Sequence, residues 1–364
     1  MIVLGMFVRN EAKVIERALA SAKPFISSWV VLDTGSTDGT QELVRPALAG
    51  LPGELLERRW SSYGEASDEL LRAAEGRGQY LWILDADEEV ELTDPILRPF
   101  PKQLDKDAYY VRTRFSTIDT DKPRILRLGL PWHHPQRRHA SPRLREGVPF
   151  VGRIPGLLVQ NHGDGSQGSM PLESVRERYE RDVRHFLGEL ELNPEDTRSW
   201  FYLAQSLRDS GDLEAAITTY RHRATLGGWD EEAWYSLLQV AILLERTKAR
   251  EADVVAAYLE AHEARPTRAE PLCYLARYYR TLKKYALALT FAEAAVEIRR
   301  PALDRLFIDW TTYEWRALDE VGLAHLGLGH RSEARAYSQR LLAYAPAEQH
   351  FRIKRNIAMC EAAV

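Results

Sequence analysis

Over the first 120 residues, short runs of continuously apolar positions alternate with stretches whose apolar residues recur at helical spacing. The runs are Ile2 to Val8, Trp29 to Asp33, Leu55 to Trp60, Tyr80 to Asp85 and Tyr109 to Thr113. Helical segments such as Glu11 to Ala22 and Tyr63 to Ala74 separate them. A strand apolar at every position must be covered on both faces, so this βαβ rhythm predicts a doubly wound, mostly parallel sheet of the α/β class. From Leu130 to Gly168 the pattern dissolves into Pro, Gly, His and Arg, which predicts long loops over a site.

After Pro171 the period becomes helical and then repeats. Trp200, Leu203, Ala204, Ala216 and Tyr220 have the spacing that interlocks two antiparallel helices. Leu272, Leu275, Ala276, Ala288 and Ala295 reproduce it. Tyr258, Ala261 and Pro266, and then Leu318, Val321, Gly322, Ala334 and Pro346, match in part, with insertions before the second and fourth copies. The offsets are near the roughly 34-residue tetratricopeptide period, so a solenoid of helix pairs with a concave face is expected. Two domains follow from this change of period, one over residues 1–169 and an all-α repeat domain over residues 170–364.

Composition refines this picture only modestly. Hydrophobic residues make up 45% and charged residues 28%, which excludes a disordered chain, and a formal net charge of -4 gives no whole-molecule attraction for nucleic acid. One basic stretch stands out between Lys122 and Arg153, where Arg124, Arg127, Arg137, Arg138, Arg143, Arg145 and three histidines face a single acid, Glu146. The only cysteines, Cys273 and Cys360, lie far apart in helical patterns, so neither a disulfide framework nor a thiolate metal site is expected. Ile2 to Val8 is too short for a signal-peptide core and no segment is long enough to span a membrane; a cytoplasmic location is expected.

Two strand ends carry the chemistry. Trp29 to Asp33 ends in a carboxylate and runs into Thr34-Gly35-Ser36-Thr37-Asp38-Gly39-Thr40. Ligands of open α/β sheets bind at such ends, where Asp33 can accept hydrogen bonds from a ribose or base, the small residues admit a ligand to the backbone, and Asp38 is expected to cap the next helix. A capped turn after any parallel strand has a similar pattern. The strand Tyr80 to Leu84 ends in Asp85-Ala86-Asp87-Glu88-Glu89, four carboxylates in five positions. Asp85 and Asp87 share a direction in extended chain, one suited to a ribose and the other to a hard divalent ion with diphosphate oxygens. The same run also reads as a solvated acidic turn.

Taken together, Asn10-Glu11, Asp33 with its turn, and Asp85-Ala86-Asp87-Glu88 resemble the inverting family 2 glycosyltransferases of the A-type fold, over roughly residues 2 to 165. Phe201-Tyr202-Leu203-Ala204-Gln205-Ser206 and Gly227-Gly228-Trp229-Asp230-Glu231-Glu232 resemble the subfamily that fuses this domain to tetratricopeptide repeats, some members of which glycosylate peptides or proteins. The resemblance implies a donor site around Val8, Asn10, Glu11, Asp33, Gly35, Ser36, Asp85 and Ala86, with a UDP-sugar as the expected donor. It also implies manganese or magnesium on Asp87, with His162 of Asn161-His162-Gly163-Asp164-Gly165 completing the metal site. Two departures are visible: Ala66-Ser67-Asp68 stands where members often carry Arg, and His139-Ala140 is the nearest match to their His-Glu. An inverting transfer needs a base for the acceptor proton. Glu146, Asp164 and His139 are the candidates.

The expected function is transfer of one sugar to a hydroxyl or thiol acceptor on a peptide or protein lying in the concave face, where Gln205, Arg208, Trp229, Glu231 and Glu232 offer polar and aromatic groups. Nucleic acid held by the Arg and His stretch, or a glycan, is the alternative acceptor. A repeat scaffold with a degenerate transferase domain is the non-enzymatic alternative. Nucleotidyl transfer would want a Gly-rich phosphate loop after the first strand, where this chain reads Met6-Phe7-Val8-Arg9-Asn10-Glu11.

Overall fold

The computed structural model describes residues 1–93, 104–135, 141–166 and 172–362. The chain divides into two compact units, residues 1–170 and 171–364. In the first, β1 (Ile2–Val8), β2 (Ser28–Asp33), β3 (Gly53–Glu57) and β4 (Tyr80–Ile83) pair in parallel in the order β3-β2-β1-β4. The order reverses between β1 and β4, which places a crevice outside the carboxyl ends of β1, β2 and β4. Alternate residues of β1 feed two cores. Ile2, Leu4, Met6 and Val8 pack with Ile15, Ala18 and Leu19 of α1 (Ile15–Ala22) and with Val44 of α2 (Thr40–Ala47). Val3 packs with Leu70, Leu71 and Ala74 of α3 (Tyr63–Ala74). Helices thus cover both faces, as the continuous apolar runs require.

Beyond β4 the sheet is mixed. After β5 (Glu88–Leu92), β6 (Ala108–Phe115) and β7 (Ile118–Arg127) form a hairpin, with β7 antiparallel to β4. Among the described residues between 130 and 166 the chain is more regular than expected. The short β8 (Trp132–His133) and β9 (Arg143–Leu144) pair with each other, and the eleven-residue β10 (Val151–Asn161) runs parallel to β6 and antiparallel to β5. Pro155 and Gly156 interrupt the apolar alternation of β10, and its register with β6 shifts between Arg153 and Leu158. Such an irregularity hides a strand from a period-two reading.

The second unit opens with α4 (Leu172–Leu192) and continues in pairs: α5 (Thr197–Ser210) with α6 (Leu213–Thr225), α7 (Asp230–Arg246) with α8 (Glu251–Ala264), α9 (Glu270–Thr281) with α10 (Tyr285–Glu297), and α11 (Ala317–Leu328) with α12 (Arg331–Leu341), then α13 (Ala347–Glu361). Ala204, Ala216, Tyr220, Tyr258, Ala261, Leu275 and Ala276 are fully buried in this array. A Cβ on Gly322 would lie 3.2 Å from Tyr337 Cβ, so the small residue lets α11 and α12 approach closely. The architecture is a mostly parallel α/β domain followed by tetratricopeptide-like helix pairs. No helix among the described residues is long and apolar enough to cross a membrane.

Candidate functional site

Two loops meet over the carboxyl end of β1. Asn10, in the left-handed region at φ 57°, donates its backbone N–H to Ser36 Oγ (3.0 Å), and its Oδ1 accepts from Thr37 N (2.8 Å). Glu11 N donates to Thr40 Oγ1 (2.8 Å). Asp38 was expected to cap α2, but Gly39 occupies the N-cap position in a left-handed conformation and makes no side-chain cap. The Asp38 carboxylate instead accepts from Ala12 N (3.0 Å) and from Thr40 N (3.1 Å). The loop after β1 and the turn after β2 are thereby fixed to each other.

Asp33 is 1% exposed at the end of β2. Its Oδ1 accepts from Gly35 N and Ser36 N, both at 2.9 Å, while Oδ2 is buried without a hydrogen-bond partner. Burial works against the charged form of Asp33, but the hydrogen bonds from Ser36 and Gly35 outweigh it and hold the carboxyl below its ordinary value. Asp33, Gly35 and Ser36 line a cavity of about 330 Å³ with Gln41, Glu57, Arg58 and Arg59. Phe7, Trp60 and Tyr63 cluster nearby, with Phe7 and Tyr63 edge to face at 4.9 Å; nothing in their spacing marks this group beforehand.

The acidic run after β4 separates into different roles. Glu88 is fully buried, bonds to Arg124 Nη2 and accepts from Asp85 N (2.9 Å). Asp85 is partly exposed, with Oδ2 3.4 Å from Arg124 Nη1. Asp87 accepts on Oδ1 from Asn161 Nδ2 (3.3 Å); burial, then the charges of Asp85 and Asp164, push its carboxyl above the ordinary value. Ala86 is buried between the two acids.

The loop after β10 folds over Asp87. Arg17 grips Asp164 through both terminal nitrogens (2.9 and 2.7 Å), and its Nη2 lies 3.5 Å from Asp87 O. Ser166 donates from N (3.0 Å) and Oγ (2.8 Å) to Glu11, whose carboxyl burial raises above its usual value. A Cβ on Gly165 would lie 3.0 Å from Glu11 Oε2 and 3.1 Å from Asp87 Cβ, so only glycine leaves this seat undistorted. Contacts such as Arg17 to Asp164 span 147 residues, and no local spacing announces them.

Asp33, Gly35, Ser36, Asn10, Glu11, Val8, Asp85, Ala86 and Asp87 lie on β1, β2 and β4 or in the segments that follow them at their carboxyl ends. His162 stands beside Asp87 through its backbone, which donates to Asp87 O (3.1 Å), but its Nε2 is 3.0 Å from Glu89 Oε2. Among the described residues no three His, Cys, Asp or Glu side chains converge as a ready cage for an ion. The donor set at Asp87 fits the other mode, in which one or two carboxylates hold a hard cation whose remaining ligands are water and substrate phosphate. Of the base candidates, Glu146 is exposed in the turn after β9, Asp164 is clamped by Arg17, and His139 lies outside the described residues. Asp68, at the departure from the family pattern, binds His134 through Nδ1 (2.7 Å) and N (2.9 Å).

Part of the basic stretch is committed to the protein itself. Arg124 belongs to Glu88 and Asp85, Arg153 pairs with Asp121 at 2.8 Å, and Arg127 donates to Lys106 O and Asp105 O; Arg137 and Arg138 lie outside the described residues. Arg143 and Arg145 are exposed.

Residues 4–152 match the family model described as Glycosyl transferase family 2. A TPR repeat-containing protein of Synechococcus elongatus is 28% identical over 274 residues, covering 70% of this chain and 63% of the relative, so the chain spans somewhat under two thirds of that relative's length. Among solved structures, MamA aligns at 17% identity over 47% of this chain and 88% of its own, with a TM-score of 0.37. BtubC from P. vanneervenii aligns at 16% identity over 54% of this chain and 85% of its own, with a TM-score of 0.42. Residues 4–152 thus form a glycosyl transferase family 2-like domain, and a tetratricopeptide-like array of helices follows it in the chain.

Proposed function

We propose that the chain takes a sugar from a nucleoside-diphosphate sugar, UDP-linked in the first instance, and transfers it with inversion to a hydroxyl or thiol on a peptide or protein, with manganese or magnesium bound at Asp87. The observation that carries the donor reading is Asp33, which lines the cavity of about 330 Å³ and whose buried Oδ2 has no hydrogen-bond partner. A buried acceptor without a donor is costly, and a ribose hydroxyl or a base N–H would satisfy it. Arg59 on the same wall offers positive charge to an anionic ligand, while Arg58 is paired with Glu69.

A divalent ion on Asp87 would offset the charge that develops on the departing diphosphate. The protein's own residues do the rest. Asp85 faces the donor from the end of β4 while Arg124 partly neutralises it, and Glu88 fixes the turn by accepting from Asp85 N. Arg17 and Glu11 hold the loop of residues 162–166 across Asp87. Asp164 is the base candidate whose charge reaches Asp87, and proton abstraction would require it to leave Arg17. His162 would have to turn from Glu89 to reach an ion.

Two features favour an enzyme over a degenerate scaffold: the strand-end carboxylates are all present, and Asp33 is held charged. The internal pairing of Arg124, Arg127 and Arg153 disfavours a nucleic-acid acceptor. Donor hydrolysis and transfer to protein, measured with manganese and with EDTA, test the reading. Asp87→Ala should lower turnover by at least about 10²–10³ with the fold intact, as loss of a charge-stabilising group typically does. Activity indifferent to both EDTA and this substitution would overturn it.

A further inference from the structure

Between α10 and the π-helical turn Thr312–Arg316 that leads into α11, the segment from Asp304 to Asp309 runs across α5, α7 and α9, the first helices of three successive pairs. Side chains of the helices and of the turn before α9 bind much of its backbone. Glu231 Oε2 accepts from the N–H groups of Arg305 and Leu306, both at 2.7 Å, and Glu270 Oε1 accepts from Asp309 N at 3.2 Å. Arg268 donates to two successive carbonyls, Leu306 O (3.3 Å) and Phe307 O (2.9 Å).

Its side chains are bound in the same manner. Arg265 forms a fork with the Asp304 carboxylate at 2.7 and 2.8 Å. The Phe307 ring packs 4.6 Å from Tyr235 and 6.3 Å from Phe201. Arg268 is itself immobilised, fully buried, 2.7 Å from Glu270 and 3.9 Å over the Trp234 ring. Two further observations set this apart from ordinary loop packing. Phe307 has φ +45°, a left-handed conformation that a bulky side chain adopts only when its surroundings impose it. One helical turn beyond Phe201 on α5, Gln205 Nε2 is buried without a partner, and so is the hydroxyl of fully buried Tyr220 on α6.

We propose that these helices form a recognition site for an extended peptide with an aspartate three residues before an aromatic residue, and that Asp304 to Asp309 occupies the site in cis, so that a partner segment of this chemistry enters by displacing it. The backbone clamp of Glu231 and Arg268 sets the extended conformation, Arg265 selects the acid, and the Tyr235 and Phe201 rings select the aromatic group. This reading is independent of sugar transfer and stands or falls separately.

The test uses the full chain and a fluorescein-labelled peptide, Asp-Arg-Leu-Phe-Ile-Asp, followed by anisotropy. A tethered competitor acts at an effective concentration in the millimolar range, so the wild type should bind the peptide weakly, and Phe307→Ala, which empties the aromatic slot, should bind it at least about tenfold more tightly. Adding Tyr235→Ala to Phe307→Ala should abolish that gain, as should a peptide carrying Ala for Phe. Equal binding by wild type and folded Phe307→Ala, or binding by neither, overturns the proposal. If Phe307→Ala does not fold, hydrogen exchange of the unaltered chain decides. Amides of Arg305, Leu306 and Asp309 opening together before the core of α7 support displacement, and exchange only through global unfolding refutes it.

Discussion

Replacing Arg124 by methionine tests how the acidic turn is built. Arg124 is 4% exposed, donates to fully buried Glu88, and lies 3.4 Å from both Asp85 Oδ2 and Ile83 O. Methionine keeps most of the volume but leaves the Glu88 carboxylate out of water, beside Asp85, with Lys122 as the cation still acting on it. Removing one partner of a buried pair costs about 3–5 kcal/mol, and Lys122 places the expected loss toward the lower end. In a unit of this size that corresponds to a fall of roughly 6–20 °C in melting temperature. The pH dependence has a definite sign. Burial already raises the Glu88 carboxyl above its ordinary 4.5, and losing Arg124 raises it further. A raised carboxyl penalises folding once it must ionise, so the deficit should be full and level above the raised value and shrink as pH falls from it toward 4.5. Adding Glu88→Gln should recover at least half of the loss at neutral pH. Scanning calorimetry of wild type, single and double variants decides. A loss below about 1 kcal/mol, the worth of an exposed pair, or a double variant no better than the single, would refute the reasoning.

Asp33→Ala should weaken nucleoside-diphosphate binding by roughly 1–3 kcal/mol, about five- to 150-fold, while turnover at saturating donor changes less; unchanged affinity with collapsed turnover would contradict this. Gly165→Ala should raise the manganese concentration needed for half-maximal activity with little change in melting temperature, because the new methyl displaces Asp87 and Glu11; an unaltered metal titration counts against the seat described. Arg17→Ala should cost no more than about 1 kcal/mol of stability, since its pair with Asp164 is substantially exposed, yet raise the donor KM several-fold by loosening residues 162–166. A KM equal to the wild type's would show that the clamp does not serve the donor.

The sequence pattern conveys what is local. Ile2 to Val8, Trp29 to Asp33 and Tyr80 to Leu84 are legible as buried parallel strands because both faces of each are covered, and Asp33, Asp85 and Asp87 are legible as candidate site residues because they stand at the ends of such strands. What depends on distant pairing is not legible. Four carboxylates in five positions look equivalent, yet a partner 36 residues away makes Glu88 a buried structural anion while Asp85 and Asp87 stay partly exposed. Arg124 reads as a phosphate-binding cation for the same reason. Pro155, Gly156 and the register shift beside them conceal β10, the strand that delivers Asn161 and His162 to Asp87. Asp304 to Asp309 reads only as an insertion between repeats, since its complement of Glu231, Arg268 and Tyr235 comes from two other helix pairs. Trp229 and Glu231, expected to face an acceptor, are engaged by Arg305 and by the backbone N–H groups of Arg305 and Leu306.

Calorimetric titration of UDP into the full chain, with manganese and again with EDTA, tests the central claim most directly, and a parallel titration of Asp87→Ala completes it. Binding with manganese that weakens at least about tenfold in EDTA, and equally in Asp87→Ala, is the predicted result, because metal and diphosphate share ligands and each should raise the affinity of the other. UDP bound with the same affinity in manganese and in EDTA would contradict the account, and so would Asp87→Ala binding it as the wild type does.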